Sequence, residues 1–169
     1  LDDRYVWTGE SQTRPFLEYK AVTHALTCGL PVPAFVAYRV YRQGLFYRAV
    51  SISRYIENEG SLASRLANSP LAEERWFELG VLIGKMHQCH INHVDLNANN
   101  ILIDSASAFH LIDFDKAQID PSGSAWHEGN LQRLQRSLIK IQTLLVSQNK
   151  VLHFCEADWQ SLIDGYHAR

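Results

Sequence analysis

What this sequence lacks narrows it before any motif is read. No apolar stretch approaches the roughly 18 residues that a helix needs to cross a bilayer, and the opening Leu1-Asp2-Asp3-Arg4 is no secretory signal. Cysteine is scarce: Cys28, Cys89 and Cys155 are far apart, odd in number and form no Cys-x-x-Cys pair. That usage fits a reducing compartment rather than a disulfide scaffold. Neither sign of charge dominates, with 16 basic against 18 acidic residues and a formal charge of −2. A general nucleic-acid binder would be markedly basic, so nucleic acid is not expected as a partner. Repeats, low-complexity tracts and linkers are absent too. The expectation is one soluble, cytosolic domain, long enough at 169 residues to bury about 70% of its unfolded surface. The missing initiator Met points to a fragment.

The pattern along the chain is α+β. Thr13 reads as an N-cap, with Pro15 in the first turn, Phe16, Tyr19, Val22 and Leu26 at helical spacing, and Gly29 just past the end. Pro31 and Pro33 stop that helix. Ala34 to Tyr41 and Leu45 to Ile52 are aromatic and β-branched runs joined at Arg42-Gln43-Gly44, a hairpin. A short helix is expected from Ser61 to Ala67. Ser69-Pro70 then caps a longer one, striped by Trp76, Leu79, Ile83 and Met86 and ending near His90. Trp126 to Val146 repeats Leu131, Leu134, Leu138, Ile141 and Leu145, and a last short helix carries Trp159, Leu162, Ile163 and Tyr166.

Between those helices lie His93-Val94-Asp95-Leu96-Asn97-Ala98-Asn99-Asn100 and then Leu111-Ile112-Asp113-Phe114-Asp115. An Asp followed by an Asn on one loop, with an Asp-Phe pair beyond, is the pattern of a kinase phosphoryl-transfer site. The residue types suit the task. ATP brings Mg²⁺, which needs the hard oxygen ligands that Asn100 and Asp113 can supply. Asp95, upstream on the same loop, is placed to orient an acceptor hydroxyl and take its proton. Asp113 lies thirteen positions beyond Asn100, room for Ile101 to Ile103, a polar turn at Asp104 to Ser107, and Phe109 to Ile112. A hairpin of that length returns Asp113 to the loop where it began.

With the motifs placed, the chain resembles the protein-kinase-like fold, and within it the bacterial lipopolysaccharide kinases, those acting on 3-deoxy-D-manno-octulosonic acid (Kdo) in particular. The resemblance is carried by Gly29-Leu30-Pro31-Val32-Pro33, Ile56-Glu57-Asn58, the loop from His93 to Leu102, Ile112 to Lys116, and Asn130 to Ser137. It implies a partial N-terminal lobe over residues 1–52, a hinge over 53–60 and a helical C-terminal lobe over 61–169. It also implies ATP and Mg²⁺ as cofactors and a hydroxyl of Kdo on lipid A, the 4-OH, as acceptor. Peripheral contact with the cytoplasmic face of the inner membrane would follow. Val94 stands where protein kinases carry Arg, and Asp115 replaces the Gly of Asp-Phe-Gly, which argues against control by a phosphorylated loop.

By the same resemblance Ser53, Arg54, Tyr55 and Ile56 would present backbone to adenine, with Ile52 lining the pocket. Glu18 would pair with a phosphate-binding Lys. Arg133 and Arg136, at helical spacing with Lys140, are by default a solvated face. They would also suit an anionic sugar, as would Lys116. His93 reads as a brace for the loop rather than a proton carrier. His87, Cys89, His90 and His93 straddle a helix end without the separated ligand pairs of a zinc site.

No Lys and no glycine-rich loop precede Glu18, so only the helix is expected to remain of the family's nucleotide-covering segment, and an N-terminally truncated, inactive kinase is the expectation. A kinase for another small alcohol (a core heptose, an aminoglycoside or choline) and a non-catalytic pseudokinase module stay open. Oligomeric state is not set by these features.

Overall fold

The computed structural model describes residues 4–168 and has a small sheet beside a helical body. Helix α1 (Arg14–Thr27) begins at Thr13, whose backbone carbonyl accepts from the Leu17 N–H while its hydroxyl turns back to donate to the Glu10 carbonyl at 2.7 Å. At the other end Gly29, at φ +66°, lets the Leu30 and Gly29 N–H groups reach the carbonyls of Ala25 and Leu26. This is a Schellman termination, which a side chain would strain. The buried face is Pro15, Ala21, Val22 and Ala25 rather than the expected Phe16, Tyr19, Val22, Leu26 stripe. Tyr19 and Leu26 stay exposed. Small residues win that face because they let the helix approach the core, while Tyr19 lies edge-on against Phe35.

Strands β2 (Phe35–Gln43) and β3 (Phe46–Ser53) form the expected hairpin, turning at Gly44 with φ +62°. A short strand, β1 (Tyr5–Val6), pairs antiparallel with β3 at Tyr47 and Phe46, giving the order β1-β3-β2. The expectation that only a helix survives upstream of Glu18 is therefore corrected. Two residues of strand carry too little periodicity to be read from sequence.

The helical body holds most of the core. Helix α2 (Leu62–Asn68) is capped by Ser61, whose hydroxyl accepts from the Ser64 N–H. Helix α3 (Glu73–Gln88) begins at Glu73, with Ala72 at its N-cap, and not at Ser69-Pro70: Ser69 instead ends α2, its N–H donating to the Arg65 carbonyl. Trp76, Leu79, Ile83 and Met86 are buried as the stripe implied. α3 packs on the last helix, α5 (Glu156–His167), through two glycines. A β-carbon at Gly80 would lie 1.9 Å from the Leu162 carbonyl oxygen, and one at Gly165 2.0 Å from that of Phe77.

Between them run four short strands and a long helix. β4 (Ile91–Asn92) pairs with β7 (Gln118–Ile119), a pair not expected from sequence, while β5 (Ile101–Ile103) and β6 (Phe109–Leu111) make the expected hairpin. Helix α4 (Ala125–Ser147) buries Asn130, Leu134 and Leu138 along one line. The segment after β3 lies on the hairpin: the Glu59 N–H donates to the Ile103 carbonyl, and the Ile103 N–H to that of Gly60. The mixed α/β architecture is compatible with a kinase-like fold. Among the described residues no helix is long and apolar enough to cross a membrane.

Candidate active site

The loop from Asn92 to Asn100 is held from beneath by buried polar side chains. His93 is buried: its Nε2 donates to the Ile112 carbonyl at 2.9 Å, its backbone N–H donates to Asn130 Oδ1 at 3.2 Å, and its ring packs on Phe114. Burial pushes the His93 imidazole pKa down, against the opposing pull of the Ile112 carbonyl and the charges of Asp113 and Asp95. A neutral ring with the proton on Nε2 is therefore a brace. Asn130 is the second anchor, donating through Nδ2 to Asn92 Oδ1 at 2.7 Å. His87 also joins this network, through Asn130 Oδ1 and the Tyr166 hydroxyl. His87 and the His93 backbone N–H thus meet at the same Asn130 oxygen.

On this base the chemical side chains converge. The Asn100 side-chain N–H donates to the Asp95 carbonyl at 3.0 Å, and so does that of Asn97 at 2.8 Å. The Asn100 amide oxygen accepts no hydrogen bond among the described residues. Across the hairpin the Ile112 N–H donates to the Asn100 carbonyl at 3.0 Å, which sets Asp113 beside Asn100. Asp113 is exposed and takes φ +66°, a left-handed conformation that Asp tolerates better than most residues. Its carboxylate has no hydrogen-bond or ion-pair partner among the described residues. An amide oxygen and a free carboxylate are hard donors that fit Mg²⁺, which usually takes one or two such ligands and completes its shell with phosphate oxygens and water. Among the described residues no three His, Cys, Asp or Glu converge.

Asp95 is held by a cation. Arg133, on α4, donates through Nε at 3.0 Å and through Nη2 to the same carboxylate oxygen. Burial works to raise the Asp95 pKa, but Arg133, with help from Asn97 and Lys116, holds it below the usual carboxylate value. The Lys116 charge is thus felt at the Asp95 carboxylate. Arg133, Arg136 and Lys140 line a groove of about 480 Å³ with Asn97 and Asn99, which ends at Ile141 and Leu144.

The remaining candidates are less concentrated. Glu18 accepts from the Ser51 hydroxyl at 2.9 Å. Burial and then the Asp113 charge push its pKa up, and Ser51 and Arg14 oppose that. It faces the Asp113 side of the site. Ser53 ends β3 opposite Phe35, and the Arg54 N–H donates to the Ala34 carbonyl at 2.8 Å. That bond occupies the Arg54 N–H at the sheet edge. Tyr55 and Ile56 follow outside the sheet.

Asn97, Asn130 and Arg14 were not singled out from the sequence. Asn130 had a readable signal, a polar residue in phase with buried Leu134 and Leu138. Arg14 had none.

The sequence matches the family model described as Lipopolysaccharide kinase (Kdo/WaaP) family over residues 1–166. The chain belongs to this family. It is 41% identical over 138 residues to a 3-deoxy-D-manno-octulosonic acid kinase of Vibrio cholerae, a match covering 82% of this chain and 58% of the relative. It is 38% identical over 166 residues to one of Photobacterium profundum, covering 98% of this chain and 68% of the relative. A third, of Mannheimia succiniciproducens, is 38% identical over 168 residues, covering 97% and 68%. This Kdo/WaaP-family chain therefore spans between 58% and 68% of the length of these three relatives.

Proposed function

We propose that this chain carries the catalytic loop of an ATP-dependent kinase that phosphorylates a hydroxyl of Kdo on lipid A, the 4-OH by resemblance. The observation behind this reading is the convergence of Asp95, Asn100 and Asp113 beside a groove lined with cations. The relatives named as 3-deoxy-D-manno-octulosonic acid kinases support Kdo as the acceptor.

Asp95 would orient the acceptor hydroxyl and take its proton as the oxygen attacks the terminal phosphorus and ADP departs. A carboxylate with a depressed pKa is ionised at neutral pH, which is the state the task requires. Asn100 Oδ1 and the Asp113 carboxylate would hold Mg²⁺, which when bound neutralises charge on the phosphates. Glu18 and the backbone of Tyr55 and Ile56 would lie toward the nucleotide, with residues 1–52 as a partial N-terminal lobe, 53–60 as hinge and 61–169 as the helical lobe.

Arg133, Arg136 and Lys116 suit an acceptor that carries a carboxylate. The groove passes from Arg133, Arg136 and Lys140 to Ile141 and Leu144 along α4, and Ile139 and Val146 of the same helix are exposed as well. That gradient suits an amphiphilic acceptor met at the cytoplasmic face of the inner membrane.

The test is phosphate transfer by the protein expressed from its complete open reading frame, with ATP, Mg²⁺ and each acceptor in turn. Phosphate on Kdo-lipid A is the expected result. Transfer to a core heptose, an aminoglycoside or choline, but not to Kdo, overturns it.

A further inference from the structure

Arg133 is bound more closely to the base than acceptor recognition requires. Its Nε and Nη2 both donate to Oδ1 of Asp95, and Asn97 Nδ2 approaches that oxygen at 3.4 Å. Oδ2 accepts no hydrogen bond among the described residues. A guanidinium has five N–H donors in a fixed plane; two are committed to Asp95, and the rest meet no other acceptor among the described residues. The side chain is about half exposed (47%) and faces the groove with Arg136 and Lys140.

The backbone beneath Arg133 is fixed to the loop on both sides. One turn earlier, buried Asn130 accepts from the His93 N–H. One turn later, the Ser137 hydroxyl accepts from the Ala98 N–H at 3.0 Å. Buried Leu134 lies between them. The distance from α4 to Asp95 therefore cannot drift without breaking these bonds, and the guanidinium is set against the carboxylate by the scaffold.

We propose that Arg133 is a two-ended specificity residue: one edge of its guanidinium aligns Asp95, leaving Oδ2 for the reacting hydroxyl, while its remaining N–H groups bind an anionic group of the same acceptor. The reacting hydroxyl and the anion are then held at a set separation by one ion pair. A neutral acceptor leaves part of the guanidinium unpaired and sits poorly against the base. This rests on the kinase reading above and adds to it the residue by which acceptor charge governs alignment. Lys could not substitute, because an ammonium is a point charge without the planar fork that engages two partners at fixed angles.

The experiment compares phosphorylation of a Kdo-bearing acceptor with that of its methyl ester, which keeps the hydroxyls and loses the charge, in wild type, Arg133→Ala and Arg133→Lys. Wild type is expected to favour the carboxylate by roughly 10- to 100-fold in kcat/KM, the scale of a hydrogen bond to a charged group. Arg133→Ala should lower kcat on both acceptors and bring the ratio near one. Arg133→Lys should recover part of the ratio but not kcat. If Arg133→Ala loses kcat with the ratio intact, Arg133 only positions the base and the proposal fails. It also fails if the ratio is lost while kcat stays unchanged on both.

If wild type phosphorylates no Kdo acceptor, the kinase reading fails on its own. Calorimetry with free Kdo and its methyl ester then tests the inference separately. Arg133→Ala must weaken binding of the carboxylate and not of the ester, and an unchanged carboxylate affinity overturns it.

Discussion

The guanidinium of Arg14, in the first turn of α1, is paired with the carboxylate of Asp115, two residues beyond Asp113. Nε donates to Oδ1 at 2.8 Å and Nη2 meets the second oxygen. The Tyr5 ring lies beneath the guanidinium, 4.6 Å from Cζ, and the Arg14 N–H donates to the Tyr47 hydroxyl at 2.9 Å. Sheet, helix and the Asp113 segment thus meet at one cation. Asp115, which stands where the protein-kinase pattern has Gly, has a structural use here.

Arg14→Ala and Asp115→Ala are each expected to lower turnover by loosening Asp113, and the double variant should be little worse than either single one. A thermodynamic cycle on kcat/KM should give a coupling of about 0.5–3 kcal/mol, the range for residues in direct contact. Additive losses would mean that the pair does not act as a unit.

Asp95→Ala should reduce turnover by roughly 10² to 10⁴, the scale of a lost general base, with the fold intact by circular dichroism. Asp113→Ala and Asn100→Ala should instead raise the Mg²⁺ concentration for half-maximal activity, by at least about tenfold if each supplies a ligand. A Mg²⁺ titration superimposable on wild type would remove either residue from the metal site.

Gly80→Ala and Gly165→Ala test the α3–α5 crossing. Each new methyl would meet a backbone carbonyl at 1.9 or 2.0 Å, so the helices must separate. Overpacking of this kind costs about 1–3 kcal/mol or more. The midpoint of urea unfolding should fall accordingly, and an unchanged midpoint would show that the crossing is looser than described.

His93 gives stability a pH dependence. Its pKa is lowered in the folded state, so below the ordinary value near 6.5 the unfolded chain binds a proton that the folded one does not. Stability from this group is complete above that pH and declines as pH falls toward the depressed folded value, at up to about 1.4 kcal/mol per pH unit. Urea unfolding at pH 7 and pH 5.5 should show a smaller difference in His93→Asn than in wild type. An equal difference would place the dependence elsewhere.

Much of the fold was legible because hydrophobic spacing reports burial directly. The α3 stripe of Trp76, Leu79, Ile83 and Met86 and the hairpin turning at Gly44 stand where periodicity put them. Tyr5–Val6 and the β4–β7 pair were not legible, since two-residue strands are fixed by their partners rather than by their own pattern. The α1 stripe is not legible from hydrophobic spacing, because the close approach of the helix favours the small Ala21 and Ala25 over the bulk of Phe16 and Tyr19.

The sequence alone picked out the candidate reactive side chains. Asp95, Asn100 and Asp113 are read from local spacing, because they sit on one loop and one short hairpin. It could also place Arg133 and Arg136 on one helix. Only the tertiary structure decided that Arg133 grips Asp95, that Arg14 meets Asp115 101 positions away, and that Asn130 anchors the loop from another helix. Those contacts depend on how separate elements pack. Packing is set by the sum of many buried surfaces, and no local run of residues carries that sum.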